Sequence, residues 1–152
     1  MILVNGQPAE TVDALDRGLA YGDGVFRTLR TRAGQPGWWR DQYAKLATDC
    51  SALMLACHEE AGLHAEVCRV AEAGEGVVKI LMTRGVGARG YALPQGQATT
   101  RIVLSAPLPA CAQAGSPDAV TARWCTLRLA RQPRLAGIKH LNRLENVLAR
   151  AE

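Results

Sequence analysis

The sequence is short of several things, and each shortage removes a class of function. It has one Phe and only 5% aromatic residues among 152. Its 15 arginines are scattered, with few aromatics between them, which argues against a nucleic-acid surface. No run of about 18 apolar residues occurs, so no membrane-spanning segment is expected. The first residues, Met1 to Gly6, form neither a basic n-region nor an apolar h-region, so no secretory leader is expected and the cytoplasm is the default compartment. The five cysteines (50, 57, 68, 111 and 125) contain no C-x-x-C pair and read as reduced, buried thiols. Cys57, His58, His64 and Cys68 are chemically able to bind zinc, but their spacing fits no closed zinc pattern, so no metal is expected. Lysine is scarce beside arginine: Lys45, Lys79 and Lys139 are the only three.

What is present is ordinary for a globular chain: 48% apolar residues, 21% charged, and a net charge of +4. There is no internal repeat. The mild basic excess suits a small anionic ligand as well as it suits a solvated surface.

The segment TRGVGARGY (83–91) holds Gly85, Gly87 and Gly90 at G-x-G-x-x-G spacing, after the β-branched run 76–83. A dinucleotide fold needs a helix next and an acid about 20 residues on. Pro94 and Gly96 stand where the helix should continue, and no acidic residue occurs between Glu75 and Asp118. The glycines therefore mark a turned or flexible loop carrying Arg84, Arg89 and Tyr91.

Periodicity predicts a hairpin at Ile2–Ala9 around Asn5-Gly6, a glycine-rich connection at 16–24, and a strand at 25–32. After a turn at 33–37, Trp38-Trp39 reads as the start of another strand. Asp41 reads as the cap of a helix over 41–56, and 59–73 as a second helix. Strands are expected at 76–83, 101–105 and 120–129, with a subdomain boundary at Pro107–Pro117. Residues 138–152 carry Leu141, Leu144, Val147 and Leu148 on one face. They read as an amphipathic helix with Lys139 at its start, beside Asn142 and Arg143.

Lys139 is either a surface lysine or a nucleophilic amine that forms a Schiff base, its pKa lowered by the apolar approach Leu135-Ala136-Gly137-Ile138 and by neighbouring cations. LAGIKHLNRLENVLAR (135–150) resembles the lysine motif of the pyridoxal-phosphate enzymes of the aminotransferase class-IV family. VNGQPA (4–9), DRGLAYGDGVFRTLR (16–30) and MTRGVGARGY (82–91) follow the family's order over essentially the whole chain. The HLNRLE continuation is most specific to the family's lyase members. The segments around Asp16 and Asp23 are shared with branched-chain and D-amino acid aminotransferases.

The resemblance implies an α/β protein of the fold-type IV kind. An α+β layer domain would span 1–107, and 108–152 would be a linker and the beginning of a lysine-bearing second domain. It implies a homodimer with pyridoxal 5'-phosphate held covalently by Lys139. The implied reaction converts 4-amino-4-deoxychorismate to 4-aminobenzoate and pyruvate. Amino-group transfer is the alternative, and a non-catalytic remnant the third possibility. Relatives carry a His-x-x-Arg-Leu motif on the first long helix whose Arg meets the cofactor phosphate. Here Gln42-Tyr43-Ala44-Lys45-Leu46 stands there, so Lys45 is the implied phosphate contact, without the planar fork of Arg. Arg89 and Tyr91 are the implied substrate contacts. Arg27 stands where relatives often have Glu or Thr. The resemblance also implies that the sequence ends within the lysine-bearing domain, short of the Glu that pairs with the pyridine nitrogen.

Overall fold

A computed structural model describes residues 1–71, 74–96, 98–108 and 121–152. Six strands form one antiparallel sheet in the order β2-β1-β6-β5-β3-β4. They are β1 (Ile2–Val4), β2 (Gln7–Pro8), β3 (Gly24–Arg32), β4 (Gln35–Pro36), β5 (Glu75–Thr83) and β6 (Thr100–Pro107). The helices are α1 (Arg17–Tyr21), α2 (Trp39–Ala52), α3 (Glu60–Val70) and α4 (Leu144–Ala151). Helices packed on one face of an antiparallel sheet give the mixed α and β architecture that was expected.

The long ladder β3–β5–β6 sets the register. Val25 faces Met82, Leu29 faces Val78, and Ile80 faces Val103, whose other neighbour is Leu3. Cross-strand partners share a face, so these side chains form one apolar layer. It meets Leu46 and Cys50 of α2 and Leu63, Val67 and Val70 of α3. Each large aliphatic buried there contributes about 1.5–3 kcal/mol. The opposite face carries Ile2, Val4, Phe26, Lys79, Leu81, Ile102 and Leu104, all half-buried.

Turn chemistry was legible. Asn5 and Gly6 both take positive φ (50° and 81°), the pair of left-handed residues that a tight hairpin turn requires. Ala33 and Gly34 repeat the device between β3 and β4 (48° and 75°).

Four expectations need correction. The 16–24 connection contains α1, because the Asp16 carboxylate caps it by accepting from Gly18 N–H (2.7 Å). Trp38-Trp39 does not begin a strand: Trp38 sits at φ 50° and Trp39 opens α2, so the helix starts before Asp41, which lies in its first turn. Residues 121–129 form no strand; Val120 and most of the 107–117 loop lie outside the described residues. The C-terminal helix begins at Leu144, so Lys139 is five residues upstream of it, in extended chain. Backbone pairing took those residues instead. Val25 and His140 form a bridge, Phe26 N–H donates to the Lys139 carbonyl (2.9 Å), and Leu141 N–H donates to the Gly24 carbonyl (2.9 Å). The α4 side chains Leu144, Val147 and Leu148 are exposed.

The glycine segment after β5 leads into no helix among the described residues. Gly85 takes φ 82°, and a Cβ there would run into the carbonyl oxygen of Ala98. Gly85→Ala is expected to destabilise the fold by about 2 kcal/mol or more, from backbone strain and the clash together. Gly74 is free of both constraints, and Gly74→Ala should stay within about 0.5 kcal/mol of the parent. Urea unfolding midpoints of the two variants check this contrast.

Candidate functional site

The extended segment 138–141 lies along the start of β3, and one buried carboxylate fixes it there. Asp49, on α2, is 1% exposed. Its Oδ1 pairs with Lys45 Nζ, one helical turn earlier, and its Oδ2 accepts from the Lys139 backbone N–H (3.3 Å). Lys45 also donates to the Gly137 carbonyl (2.9 Å). Two of the three lysines thus meet around Asp49, one through its ammonium and one through its main chain.

The Lys139 side chain lies against Phe26. Its Nζ stands 4.9 Å from the centre of the Phe26 ring, where Lys79 Nζ (4.9 Å) and the Arg143 guanidinium (5.7 Å) also gather. Arg27, the next residue on β3, is held by Gln42 of α2 through two hydrogen bonds (3.1 and 2.6 Å) to one amide oxygen. Burial lowers the Lys139 pKa below the usual 10.5, and Arg27, Arg143 and Lys79 lower it further; Asp49 pulls the other way. The amine is therefore biased toward its neutral, nucleophilic form, in a field that attracts an anion. An anionic carbonyl compound fits that donor set: an amine to attack the carbonyl, and cations to hold the charge. His140 is shifted down by burial, then by Arg143, and its buried Nδ1 has no hydrogen-bond partner.

A second charged cluster shapes the glycine loop. Asp23 accepts from Arg17 (3.0 Å) and Arg84 (2.7 Å), both guanidinium groups nearly fully buried. Burial acts to raise the Asp23 pKa, but the two arginines outweigh it and hold the carboxyl below its usual 3.8. Arg84 also donates to the Leu53 and Met54 carbonyls (2.7 and 3.0 Å). Arg17 donates to the Gly90 carbonyl (2.8 Å), and Gly90 N–H donates to the Tyr21 hydroxyl (3.0 Å). Gly90 is thereby pinned from both sides, between Arg89 and Tyr91. The Tyr91 ring packs on Tyr21 (5.5 Å) and is otherwise exposed. Arg89 is exposed and makes no hydrogen bond or ion pair with the described residues.

The structure thus joins Lys45 and Lys139 through Asp49, while Arg89 and Tyr91 contact neither lysine. They stand on a separate loop, connected to the lysine segment through Tyr21, Gly22 and the Asn142 side chain, which donates to the Gly22 carbonyl (3.3 Å). Sequence reasoning missed Asp49 and the Phe26 ring as members of the site. An acid four residues after Lys45, on the buried side of α2, was the available signal. Arg27 was noticed in the sequence; its guanidinium is held on Gln42 and its charge acts on Lys139. Among the described residues no group of three or more His, Cys, Asp or Glu could hold a metal ion, and no helix is long and apolar enough to cross a membrane.

Comparison with known proteins gives a consistent picture. The family described as amino-transferase class IV matches residues 24–152. An aminodeoxychorismate lyase from Vibrio harveyi is 33% identical over the whole of this chain and 56% of its own length. The crystal structure of 4-amino-4-deoxychorismate lyase from Pseudomonas aeruginosa superposes with a TM-score of 0.88 at 44% identity, again over all of this chain and 56% of that one. A hypothetical aminotransferase from Mycobacterium tuberculosis, in its apo form, superposes with a TM-score of 0.76 at 24% identity, covering 99% of this chain and 57% of that one; it speaks for the fold alone. The chain therefore spans a little over half the length of these relatives.

The electrostatics make a direct prediction. Arg27→Gln removes the largest cationic contribution to the depressed Lys139 pKa, so the pKa should rise toward 10.5. The sign for stability follows. Between the folded-state pKa and 10.5 the unfolded chain holds a proton that the folded chain has lost, so folding stability rises with pH across that window. That rise should be smaller in Arg27→Gln. The pH dependence of acylation at Lys139, followed by peptide mass spectrometry, reads the pKa. An unshifted midpoint would show that Arg27 does not act on the amine.

Proposed function

Because the chain belongs to the amino-transferase class IV family, we propose that it carries the lysine half of a pyridoxal-phosphate-dependent lyase. The reaction would convert 4-amino-4-deoxychorismate to 4-aminobenzoate and pyruvate, supplying the aminobenzoate unit of folate in the cytoplasm. The observation that carries this reading is the Lys139 amine, depressed in pKa among Arg27, Arg143 and Lys79, in a chain 44% identical to a lyase of that name. Residues 108–152 would begin a second domain, and the active unit would be a homodimer.

Pyridoxal phosphate, when bound, supplies a conjugated ring that draws electrons from the bond being broken. Lys139 would hold the cofactor covalently and then, once free, move the proton. It would act as base at the substrate ring carbon and as acid at the departing enolpyruvate. A lowered pKa serves both halves, since the group must give up and regain a proton near neutral pH. Asp49 keeps the Lys139 backbone in place while its side chain works. Lys45 spends two of its three donors on Asp49 and Gly137, which leaves one N–H for a cofactor phosphate oxygen. Arg89 and Tyr91 would meet the substrate carboxylates from the pinned glycine loop. The second reading, an aminotransferase of the same family, draws on the family description and on the shared segments around Asp16 and Asp23.

Three measurements test the proposal. Borohydride reduction of the protein loaded with pyridoxal phosphate should place the pyridoxyl label on Lys139; a label on Lys45 or Lys79 overturns the assignment. Incubation of the whole enzyme, both halves present, with aminodeoxychorismate should release 4-aminobenzoate, whereas amino-group exchange between an amino acid and a keto acid would favour the second reading. Lys45→Ala should weaken cofactor affinity about tenfold or more, by about 1.5–3 kcal/mol for one lost charge-assisted hydrogen bond, and Lys45→Arg should preserve it. An unchanged dissociation constant in Lys45→Ala would reduce Lys45 to an anchor of the 137–139 segment.

A further inference from the structure

This chain departs from the family pattern at positions 27, 42 and 45, and the structure joins the three. Arg27 Nε (3.1 Å) and Nη2 (2.6 Å) both donate to Gln42 Oε1. Gln42 lies three residues before Lys45 on α2, so the two share one side of the helix. Lys45 donates in turn to the Gly137 carbonyl (2.9 Å). The chain 139–141 runs antiparallel to β3: Leu141 N–H meets the Gly24 carbonyl, Val25 bridges His140, and Phe26 N–H meets the Lys139 carbonyl. Continued by one residue, that register sets Arg27 opposite Ile138. Two cations from two elements thus border the segment 137–138, next to the residue that bears the amine.

Gln42 holds Arg27 without neutralising it. Other arginines drawn into the fold have an acid: Arg17 and Arg84 share Asp23, and Arg101 grips Glu66 through two hydrogen bonds (2.6 Å each). Arg27 is half-buried, yet no carboxylate pairs with it among the described residues. Its partner is an uncharged amide oxygen, which fixes the direction of the group and leaves its full positive charge. A guanidinium has five N–H donors. Gln42 engages the edge formed by Nε and Nη2. The other edge, between Nη1 and Nη2, has no partner among the described residues. Two parallel N–H groups on that edge match two oxygens of a phosphate or carboxylate. An oriented guanidinium without a counter-ion suits an anion that arrives from solution.

We propose that Arg27 grips the phosphate of pyridoxal phosphate through its free Nη edge, with Gln42 as the residue that positions it. This role rests on the reading of the chain as a pyridoxal-phosphate enzyme, and it adds a residue to the phosphate site. Lys45 alone is a poor anchor for two reasons. An ammonium is a point charge without the planar fork of a guanidinium, and the Lys45 charge is already paired with Asp49. A phosphate ester carries about −1.5 to −2 at neutral pH, so it needs a cation that no acid has claimed. Arg27 supplies both the fork and the unclaimed charge, from β3 instead of α2. The glutamine at 42 fits the same account: an acid there would cancel the charge, and an apolar residue would leave the long side chain free to swing.

The test measures dissociation constants of the whole enzyme, both halves present, for pyridoxal phosphate and for pyridoxal, which lacks the phosphate. The quantity read is the preference for the phosphorylated form. It cancels any effect of Arg27 on the Lys139 amine, since both aldehydes meet the same amine. In Arg27→Gln the preference should fall about tenfold or more, as for lost hydrogen bonds to a charged group. In Gln42→Leu, which keeps the charge but releases the guanidinium, it should fall by less. Arg32→Gln removes an exposed arginine of the same strand that pairs with Glu75, and should leave the preference unchanged. Should Arg27→Gln fail to fold, Arg27→Lys decides: it keeps the charge without the fork, and the preference should still drop. An unchanged preference in the Arg27 variants, with both aldehydes bound by the parent, would overturn the role of Arg27 and leave the cofactor reading standing. An equal fall in Arg32→Gln would overturn it too, by showing a diffuse field instead of a grip. A parent that binds neither aldehyde would overturn the cofactor reading, and this role with it.

Discussion

The Asp49 carboxylate is the constraint on which the site depends. It is buried on α2, where an unpaired charge would cost several kcal/mol, and it has two partners: the Lys45 ammonium from its own helix and the Lys139 N–H from a segment 90 residues away. The pairing ties the helical layer to the chain that runs along β3. From there the Lys139 carbonyl takes the Phe26 N–H, and Leu141 N–H reaches the Gly24 carbonyl. The amine is thus aimed by backbone bonds, while its own Nζ stays free to react.

The Asp23 cluster does the same for the glycine loop. Arg17 and Arg84, both buried, share one carboxylate and donate further to the Gly90, Leu53 and Met54 carbonyls. Two acids, each serving two partners, hold three chain segments at one end of the sheet. Both depend on the β3–β5 ladder, because Asp23 and Arg84 flank its first pair, Gly24 and Thr83. Register there decides which side chains meet the helices and which meet Lys139.

Much of this was legible because local rules and tertiary packing agree. The β-branched run 76–83, the Asn5-Gly6 turn and the apolar face of α2 all formed as their patterns imply. Where they disagree, long-range bonds prevailed. The spacing of Leu141, Leu144 and Val147 is helical, yet residues 138–141 pair with β3 because Phe26 and Gly24 offer backbone partners there. Trp38-Trp39 has strand propensity, but the tight Ala33-Gly34 hairpin leaves Trp38 at a positive φ from which α2 starts. The motif at 135–150 singled out Lys139; nothing in a single sequence says that Asp49 lies against it. The family resemblance suggested the chemistry, and the geometry shows which side chains surround the amine.

The claim that Asp49 positions the Lys139 segment can be tested amide by amide. Hydrogen exchange should be compared between the parent and Asp49→Ala. The account predicts faster exchange at Lys139, Phe26 and Leu141 together, with the Val78 and Ile80 amides of the β5 ladder unchanged. Undiminished protection at all three in the variant would contradict it, and would place the anchoring of Lys139 elsewhere.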